Sequence, residues 1–346
     1  MAALFEVTDL DRRIYTEELR DFLPDSFVDI HTHVWRDQDK THSKEEYARV
    51  VSWPALVAKD CPVEDLVESY RLMFPGKAVT PLMFSIVGAA DDADLMNGYV
   101  RDCARAHKFP ALLFAKPEWS GEDVERKIAS GGFHGVKVYL NLAPAYIPRT
   151  EIRIFDFLPL HQLHELDRKG RVVMLHIPRD GRLRDPVNIE QMLEIERSFP
   201  RVRLIIAHVG RAYCDEDVGD AFDRLSGTKD MLFDFAANTN DRVFERLLRA
   251  FGPDRVLFGS DLPITRMRMR RTCDSGRYVN IVPRGLYGDV SGDPNMGEVD
   301  PPESEMLTTF MYEELLAMKK ACARAGVDRT GVEAIFNINA RRVLGI

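Results

Sequence analysis

The sequence has no apolar run long enough to cross a membrane, for which about 18 consecutive residues are needed. Its first residues also lack the basic segment and the apolar core of a secretory signal. We therefore expect a cytoplasmic, unprocessed protein without a membrane partner.

Cysteine is scarce, and the five cysteines are odd in number, widely separated and without a CxxC pair. This pattern argues against both a disulfide framework and a thiolate zinc site. We expect reduced, mostly buried thiols at Cys61, Cys103, Cys214, Cys273 and Cys322.

Long blocks of lysine and arginine are missing too, and the formal net charge is -8. We therefore expect no nucleic-acid partner. With 45% hydrophobic and 29% charged residues, the composition is that of a globular protein that can bury a large core. No low-complexity linker divides the sequence, so we expect a single domain over residues 1–346. A homo-oligomer is left open.

Eight short apolar runs alternate with amphipathic segments along the chain. The runs are rich in Val, Ile, Leu and Phe, which is typical of parallel strands buried on both faces. They occupy residues 27–34, 78–87, 109–116, 135–140, 172–177, 203–209, 231–237 and 256–263. The glycine-rich turn of dinucleotide-binding sheets is absent. The pattern predicts an α/β fold, namely a (β/α)8 TIM barrel.

Helices are predicted between these runs and at both ends of the chain. Between the runs the segments are 94–107, 122–130, 158–169, 188–198 and 241–251. A short helix capped by Thr16 is predicted near residues 16–22, and Thr330 with Glu333 predicts the capping box of the last helix. Long insertions are expected after strand 1 (residues 36–75, a candidate lid) and after strand 8 (residues 262–304).

The first run ends in His31 and His33, which alternate with Thr32 and so point to the same side of a strand. Asp29 shares that side. Two histidines in such a pair can hold one metal ion, but they do not make a complete site.

Three further runs each end in a residue that could complete the site: His176 in the fifth, His208 in the sixth and Asp261 in the eighth. The carboxyl ends of barrel strands meet at one mouth, so we expect these residues to face His31 and His33. A single histidine at a strand end is more often structural, but this concurrence predicts a metal site. Its donors fit zinc first, with manganese, iron or cobalt as alternatives.

The other histidines lie on helices, in loops or before a strand, and we expect none of them to bind the metal. They are His42, His107, His134, His161 and His164.

With these motifs the chain resembles the amidohydrolase superfamily, in particular its amidohydrolase-related branch of metal-dependent hydrolases and decarboxylases. The matching segments are Asp-Ile-His-Thr-His at residues 29–33, His176, Ala-His-Val-Gly at residues 207–210 and Gly-Ser-Asp-Leu-Pro at residues 259–263. The ending at residues 339–345 is also similar. The resemblance implies fold and chemistry but says little about the substrate.

Lys137, near the end of the fourth run, leaves two versions of the metal site open. In dihydroorotase-like members a similarly placed lysine is carboxylated and bridges two metals. That version implies one ion on His31, His33 and Asp261 and another on His176 and His208. In the one-metal version His31, His33, His176 and Asp261 bind the ion, and His208 orients water and substrate. A third interpretation is a plain buried lysine, packed in the barrel or paired with Asp29 or Asp234.

The resemblance implies a hydrolase in which a metal-activated water attacks a lactone, amide or ester and Asp261 acts as the base. The alternative within the same superfamily is a non-oxidative decarboxylase. A less favoured alternative is a non-catalytic metal-binding barrel.

Arginines near the strand ends favour a small substrate that bears a carboxylate. We expect Arg179 and Arg211 to bind it, while Tyr139 and Trp35 wall the pocket. Further arginines follow the eighth run at Arg266, Arg268, Arg270 and Arg271, and arginines in long loops are more often solvated or paired with acids.

Overall fold

The computed structural model describes residues 4–41 and 53–346, and it is an α/β structure with parallel sheets. The strands are β1 Ser26–His33, β2 Ala78–Phe84, β3 Leu113–Phe114, β4 Gly135–Val138, β5 Val172–Leu175, β6 Arg203–Ile206, β7 Leu232–Asp234, β8 Val256–Leu257, β9 Arg270–Asp274, β10 Arg277–Pro283 and β11 Met296–Val299. Each of the eight predicted runs overlaps one of the strands β1 to β8, and only β1 begins outside its run, one residue earlier.

These eight strands form two parallel sheets, one of β1 and β2 and one with the order β3-β4-β5-β6-β7-β8. Single parallel bridges connect the two sheets on both sides. Met83 of β2 bridges Ala111, and Thr32 of β1 bridges Leu262 after β8. The amide of His33 also donates to the carbonyl of Leu262 at 2.9 Å. The ends of β1 and β8 therefore lie side by side.

Helices follow most of the strands. They are α1 Asp9–Ile14, α2 Val63–Met73, α3 Ala93–His107, α4 Gly121–Gly131, α5 Ile154–Phe157, α6 Leu160–Lys169, α7 Pro186–Ser198, α8 His208–Arg211, α9 Ala221–Leu225, α10 Asp241–Phe251, α11 Phe310–Ala325, α12 Arg329–Glu333 and α13 Asn339–Leu344. The five helices predicted between the runs are confirmed as α3, α4, α6, α7 and α10. No helix in the described part of the chain is long and apolar enough to cross a membrane.

Both predicted helix starts at the chain ends were wrong. The first helix begins at Asp9, because Thr8 and Asp11 form a capping box ahead of it, and residues Tyr15–Leu19 make a π-helical turn. The helix α12 begins at Arg329, because the side chain of Asp328 accepts from the amide of Gly331.

A cluster of aromatic rings holds β1 beside the segment after β8. Phe258 lies 5.5 Å from Phe27 and 5.2 Å from Phe336, measured between ring centroids, and all three side chains are buried. Such pairs each contribute about 0.5–1.5 kcal/mol beyond the burial of their area. This packing fixes the backbone that carries His31 next to the backbone that carries Asp261.

The segment between β1 and β2 contains short 3-10 turns at Asp37–Asp39 and Trp53–Leu56 and the helix α2. The sequence marked this segment as a candidate lid, and its role as a lid stays a prediction. His42 lies outside the described residues.

The segment after β8 forms a small sheet of its own. In it β10 pairs with β9 in antiparallel and with β11 in parallel orientation. Arg271 of β9 is opposite Asn280 of β10 in this register.

One cysteine prediction is overturned. Cys214 and Cys273, 59 residues apart, form a disulfide, because β9 lies against the loop after β6 and brings their Cα atoms to 5.8 Å. The other three, Cys61, Cys103 and Cys322, are free and buried as expected.

Candidate metal centre

The two histidines of β1 lie at its carboxyl end, where β1 meets the chain after β8. The amide of Asp261 donates to the carbonyl of His31 at 2.8 Å. Gly259 makes this approach possible, since a Cβ atom there would lie 2.7 Å from the Cβ of His31. A side chain at position 259 would therefore displace His31.

His208 is placed by a turn in the left-handed region of backbone conformation. Its φ is +57°, and the following residue Val209 is also positive at +49°. Such angles are unfavourable for residues other than glycine. The turn is held because the amide of His208 donates to Oδ1 of Asp234 at 2.8 Å. At Gly210, φ is +59° and a Cβ would lie 2.6 Å from Cδ1 of Leu183, so a side chain there would force Leu183 to move.

The structure brings the five residues expected at the barrel mouth together. Nε2 of His33 lies 3.0 Å from Oδ1 of Asp261, and Nε2 of His31 lies 3.5 Å from the same oxygen. Ring centroids are 4.7 Å apart between His31 and His208 and 5.3 Å apart between His176 and His208. Within the described residues, His31, His208 and Asp261 offer ligand atoms that all lie within 4.8 Å of one another.

Two of these histidines have a second partner on Nδ1. Nδ1 of His31 lies 2.9 Å from Oδ2 of Asp234, and Nδ1 of His208 donates to the carbonyl of Ala236 at 2.8 Å. With the proton held on Nδ1, Nε2 of each ring keeps its lone pair for a metal. The partner role of Asp234 was not predicted, although an acidic residue inside the seventh apolar run was a signal.

The electrostatics favour the protonation states that a metal requires. Burial lowers the pKa of His31, His176 and His208, so the rings are neutral. Burial raises the pKa of Asp261, but the hydrogen bond from Nε2 of His33 opposes it, and the pKa lies below its usual range. Neutral imidazoles around an ionised carboxylate fit a divalent metal ion.

Asp29 does not join this cluster. Its carboxylate accepts from the hydroxyl of Tyr70 and from the amide of Ser260, both at 2.8 Å. Burial raises the pKa of Asp29 to about 7, although these hydrogen bonds oppose the shift. Asp29 therefore ties β1 to α2 and to the chain after β8.

Lys137 on β4 is buried directly beside the cluster. Its Nζ lies 3.4 Å from Nε2 of His31 and 5.0 Å from the ring centroid of Phe84. Burial lowers the pKa of Lys137 to about 8, although the charges of Asp234 and Asp261 oppose the shift. Within the described residues, Lys137 forms no direct ion pair with Asp234 or with Asp29. Carboxylation of Lys137 stays a prediction.

A cavity of about 470 Å³ opens above the cluster. Its walls include Tyr139 and Trp35, as expected, and the ring of Tyr139 lies 4.5 Å from that of His176. Arg211 lines the cavity as well. The site is therefore enclosed on one side by aromatic side chains and a guanidinium group.

The expectation for Arg179 is not met by the structure. Its Nε donates to Asp185 at 3.3 Å and its Nη1 to the carbonyl of Glu151 at 3.2 Å. Arg179 is not among the residues that line the cavity, because the chain turns away after β5. We do not assign it to substrate binding.

Of the four arginines after the eighth run, only Arg271 lines the cavity. Arg266 bonds to Ser69 and the carbonyl of Asp65, and Arg268 pairs with Asp11. The sequence places four arginines shortly after the eighth run. The strand register of β9 decides that Arg271 is the one that faces the cavity.

The wall residues Tyr213, Tyr278 and Trp53 were not predicted. They lie in loops or in the small sheet of β9 to β11, where the sequence gives no signal that they approach the cavity.

The sequence model of the amidohydrolase family matches residues 28–346. No curated protein sequence matches the chain. Among solved structures, the chain is similar to amidohydrolase 2 from Bifidobacterium longum subsp. infantis, with 17% identity, a TM-score of 0.54, and coverage of 93% of this chain and 99% of that one.

Two further structures share the fold at low identity. A probable 2-pyrone-4,6-dicarboxylic acid hydrolase from Acinetobacter baumannii has 15% identity and a TM-score of 0.55, covering 92% of this chain and 99% of that one. The 5-carboxyvanillate decarboxylase from Novosphingobium aromaticivorans, complexed with manganese, has 12% identity and a TM-score of 0.57, covering 92% and 96%. From the family match, the chain belongs to the amidohydrolase family, whose members are metal-dependent enzymes.

Proposed function

We propose that the protein is a metal-dependent hydrolase that opens a lactone, amide or ester of a small, carboxylate-bearing substrate. The observation that carries this proposal is the position of Asp261. Its ionised carboxylate lies within 3.5 Å of His31 and His33, at the base of a cavity of about 470 Å³. A base in this place can reach both a bound water molecule and a substrate carbonyl.

We infer that His31, His33, His176 and Asp261 bind one metal ion and that His208 lies beside it. The two-ion alternative divides the ligands between two ions, with a carboxylated Lys137 as the bridge. We favour one ion because the amine of Lys137 contacts His31 and Phe84 and needs no bridging role to be accommodated.

When bound, a divalent metal polarises the substrate carbonyl and lowers the pKa of a water molecule. Asp261 accepts the proton of that water and returns it to the leaving group. Nδ1 of His208 is occupied by the carbonyl of Ala236, so its Nε2 accepts a hydrogen bond and orients the water.

Zinc is the metal that the imidazole and carboxylate donors favour. Manganese is the alternative, since the decarboxylase with the same fold is complexed with manganese. We also infer that β1 to β8 close into a (β/α)8 barrel of one domain, with long insertions after strands 1 and 8. The bridges Thr32 to Leu262 and Met83 to Ala111 support closure.

A second candidate is a non-oxidative decarboxylase of an aromatic acid. Trp35, Trp53 and Tyr139 in the cavity wall would suit a planar ring, and two decarboxylases of benzoic acids share the fold. In this reaction the metal and the histidines would hold the acid while a carbon atom is protonated.

One assay separates these candidates. Protein of known metal content is incubated with 2-pyrone-4,6-dicarboxylate and with 5-carboxyvanillate, and ring opening and CO2 release are followed in parallel. We expect ring opening without CO2. Asp261→Asn should abolish it, and the metal content of the variant shows whether the base or the ligand was lost. CO2 release would favour the decarboxylase, and a metal-loaded protein inactive across ester, lactone, amide and acid panels would favour the non-catalytic barrel.

A further inference from the structure

Two arginines line the cavity without a carboxylate partner among residues 4–41 and 53–346. Nη1 of Arg211 donates only to main-chain carbonyls, at 3.1 Å to Pro178 and Arg179 and 3.4 Å to Ile177. Arg271 donates from Nε to Oδ1 of Asn280 at 2.9 Å and from Nη1 to the carbonyl of Ala237 at 2.7 Å. Neutral acceptors orient both guanidinium groups but leave their charge uncompensated.

Aromatic rings hold the guanidinium of Arg271 in a fixed orientation. Its Cζ lies 4.6 Å from the ring centroids of Tyr278 and Phe310 and 4.8 Å from that of Tyr213. Rings packed around a guanidinium leave its N–H groups as the exposed donors. With Nε and Nη1 bonded to protein, Nη2 of Arg271 has no hydrogen-bond partner within the part of the chain that the structure describes.

The nearby carboxyl of Glu314 does not balance this charge. Its Oε2 accepts from the amide of Ala237 at 2.7 Å, and its Oε1 is buried without a partner. Burial holds the pKa of Glu314 well above its usual range, which favours its neutral form. Glu314 supports the backbone at Ala237 and, within the described residues, forms no ion pair with Arg271.

Arg271 and the histidine cluster line the same cavity, and two neighbouring carbonyls connect them. Nη1 of Arg271 bonds to the carbonyl of Ala237, and the carbonyl of the preceding residue, Ala236, accepts from His208. Because Arg271 and the metal cluster face one cavity of about 470 Å³, a small molecule bound beside the cluster can also contact Arg271.

We propose that Arg271 is the specificity-determining residue that binds a carboxylate of the substrate, with Arg211 as the neighbouring cation. A half-buried cation without a counter-charge is costly, and a bound carboxylate would compensate it through charge-assisted hydrogen bonds. The reaction at the metal rests on the function proposed above, but anion binding can be measured without turnover.

The test measures binding of isophthalate, a benzene ring with two carboxylates, to chelator-treated, metal-free protein by isothermal titration calorimetry. The neutral isophthalamide is the matched ligand. We expect Arg271→Gln to weaken isophthalate binding by about tenfold or more, and to leave isophthalamide binding unchanged, because a hydrogen bond to a charged group is lost. Arg271→Lys, which keeps the charge, should restore part of the affinity.

The control variant is Arg270→Gln, since Arg270 is the preceding residue on β9, is exposed and pairs with Glu313 at 3.8 Å. It should bind isophthalate as the wild type does. Wild-type affinity in Arg271→Gln, equal loss of both ligands, or no isophthalate binding by the wild type would overturn the proposal. If Arg271→Gln weakens isophthalate binding but the protein turns over no substrate, the inference about Arg271 stands and the proposed hydrolase function is contradicted.

Discussion

Oδ2 of Asp234 lies 2.9 Å from Nδ1 of His31, and both side chains are fully buried. A carboxylate in this position orients the imidazole and makes its other nitrogen a better metal ligand. The same Asp234 also accepts, through Oδ1, from the amides of His208 and Ala236. One carboxylate therefore positions two of the histidines at the metal centre.

We expect Asp234→Asn to lower the affinity for a divalent metal about 10-fold to 100-fold, because the amide orients His31 without polarising it. Competition with a chromophoric chelator measures this. Asp230→Asn, an exposed position just before β7, is the control and should not change the affinity. Equal affinities for wild type and Asp234→Asn would contradict the positioning role.

The environment of Lys137 leads to a prediction about metal stoichiometry. We expect one ion per chain and an unmodified Lys137, because its amine contacts His31 and Phe84 directly. Elemental analysis and intact mass measure both, and Lys137→Met should still bind one ion. Lys116→Met is the control, since Lys116 donates to the carbonyls of Ala89 and Asp91 outside the cavity. Two ions with a carboxylated lysine would establish the bridged site instead.

A buried ion pair between Asp11 and Arg268 predicts a pH-dependent contribution to stability. Nη2 of Arg268 lies 2.6 Å from Oδ2 of Asp11, and Thr308 donates to Oδ1 at 2.6 Å. We expect Asp11→Asn to lower the free energy of unfolding by about 3 kcal/mol, because Arg268 loses its counter-charge in a buried position. Asp9→Asn, an exposed position on the same helix, should change it by less than about 0.5 kcal/mol.

The sign of the pH dependence follows from the pKa of Asp11. Burial raises it, but the hydrogen bonds from Arg268 and Thr308 outweigh burial and hold the pKa below its ordinary 3.8. The ionised group therefore stabilises the folded state fully above about pH 5 and loses this contribution as the pH falls below 3.8. The difference in Tm between wild type and Asp11→Asn should therefore become smaller as the pH falls below 3.8. A difference independent of pH would contradict the assignment.

The disulfide between Cys214 and Cys273 should stabilise the small sheet against the loop after β6. Cys273→Ser is expected to lower the free energy of unfolding by about 2–4 kcal/mol, since the cross-link restricts the unfolded chain. Wild type in reductant should match the variant. Thiol titration of denatured, unreduced protein should find three thiols of the five cysteines, and a count of five would show that the pair is not formed.

The strand alternation around His31 and His33, and the apolar runs that end in His176, His208 and Asp261, could be predicted from the sequence alone. Both depend on local periodicity, which is set by the chain itself. The same patterns predicted the parallel strands and the family, since the motifs carry the family resemblance. Helix starts at the chain ends were less predictable, because several capping residues compete within a few positions, as Thr8 and Thr16 show.

The sequence by itself determined which strands deliver the candidate metal ligands, because that information lies within a few neighbouring residues. Only the tertiary structure decided that Asp234 serves His31, 203 positions away, that Arg179 turns away from the cavity and that Arg271, not its neighbours, faces it. These outcomes depend on strand register and on loops packed against distant parts of the chain. The sequence near each of these residues does not indicate those distant contacts.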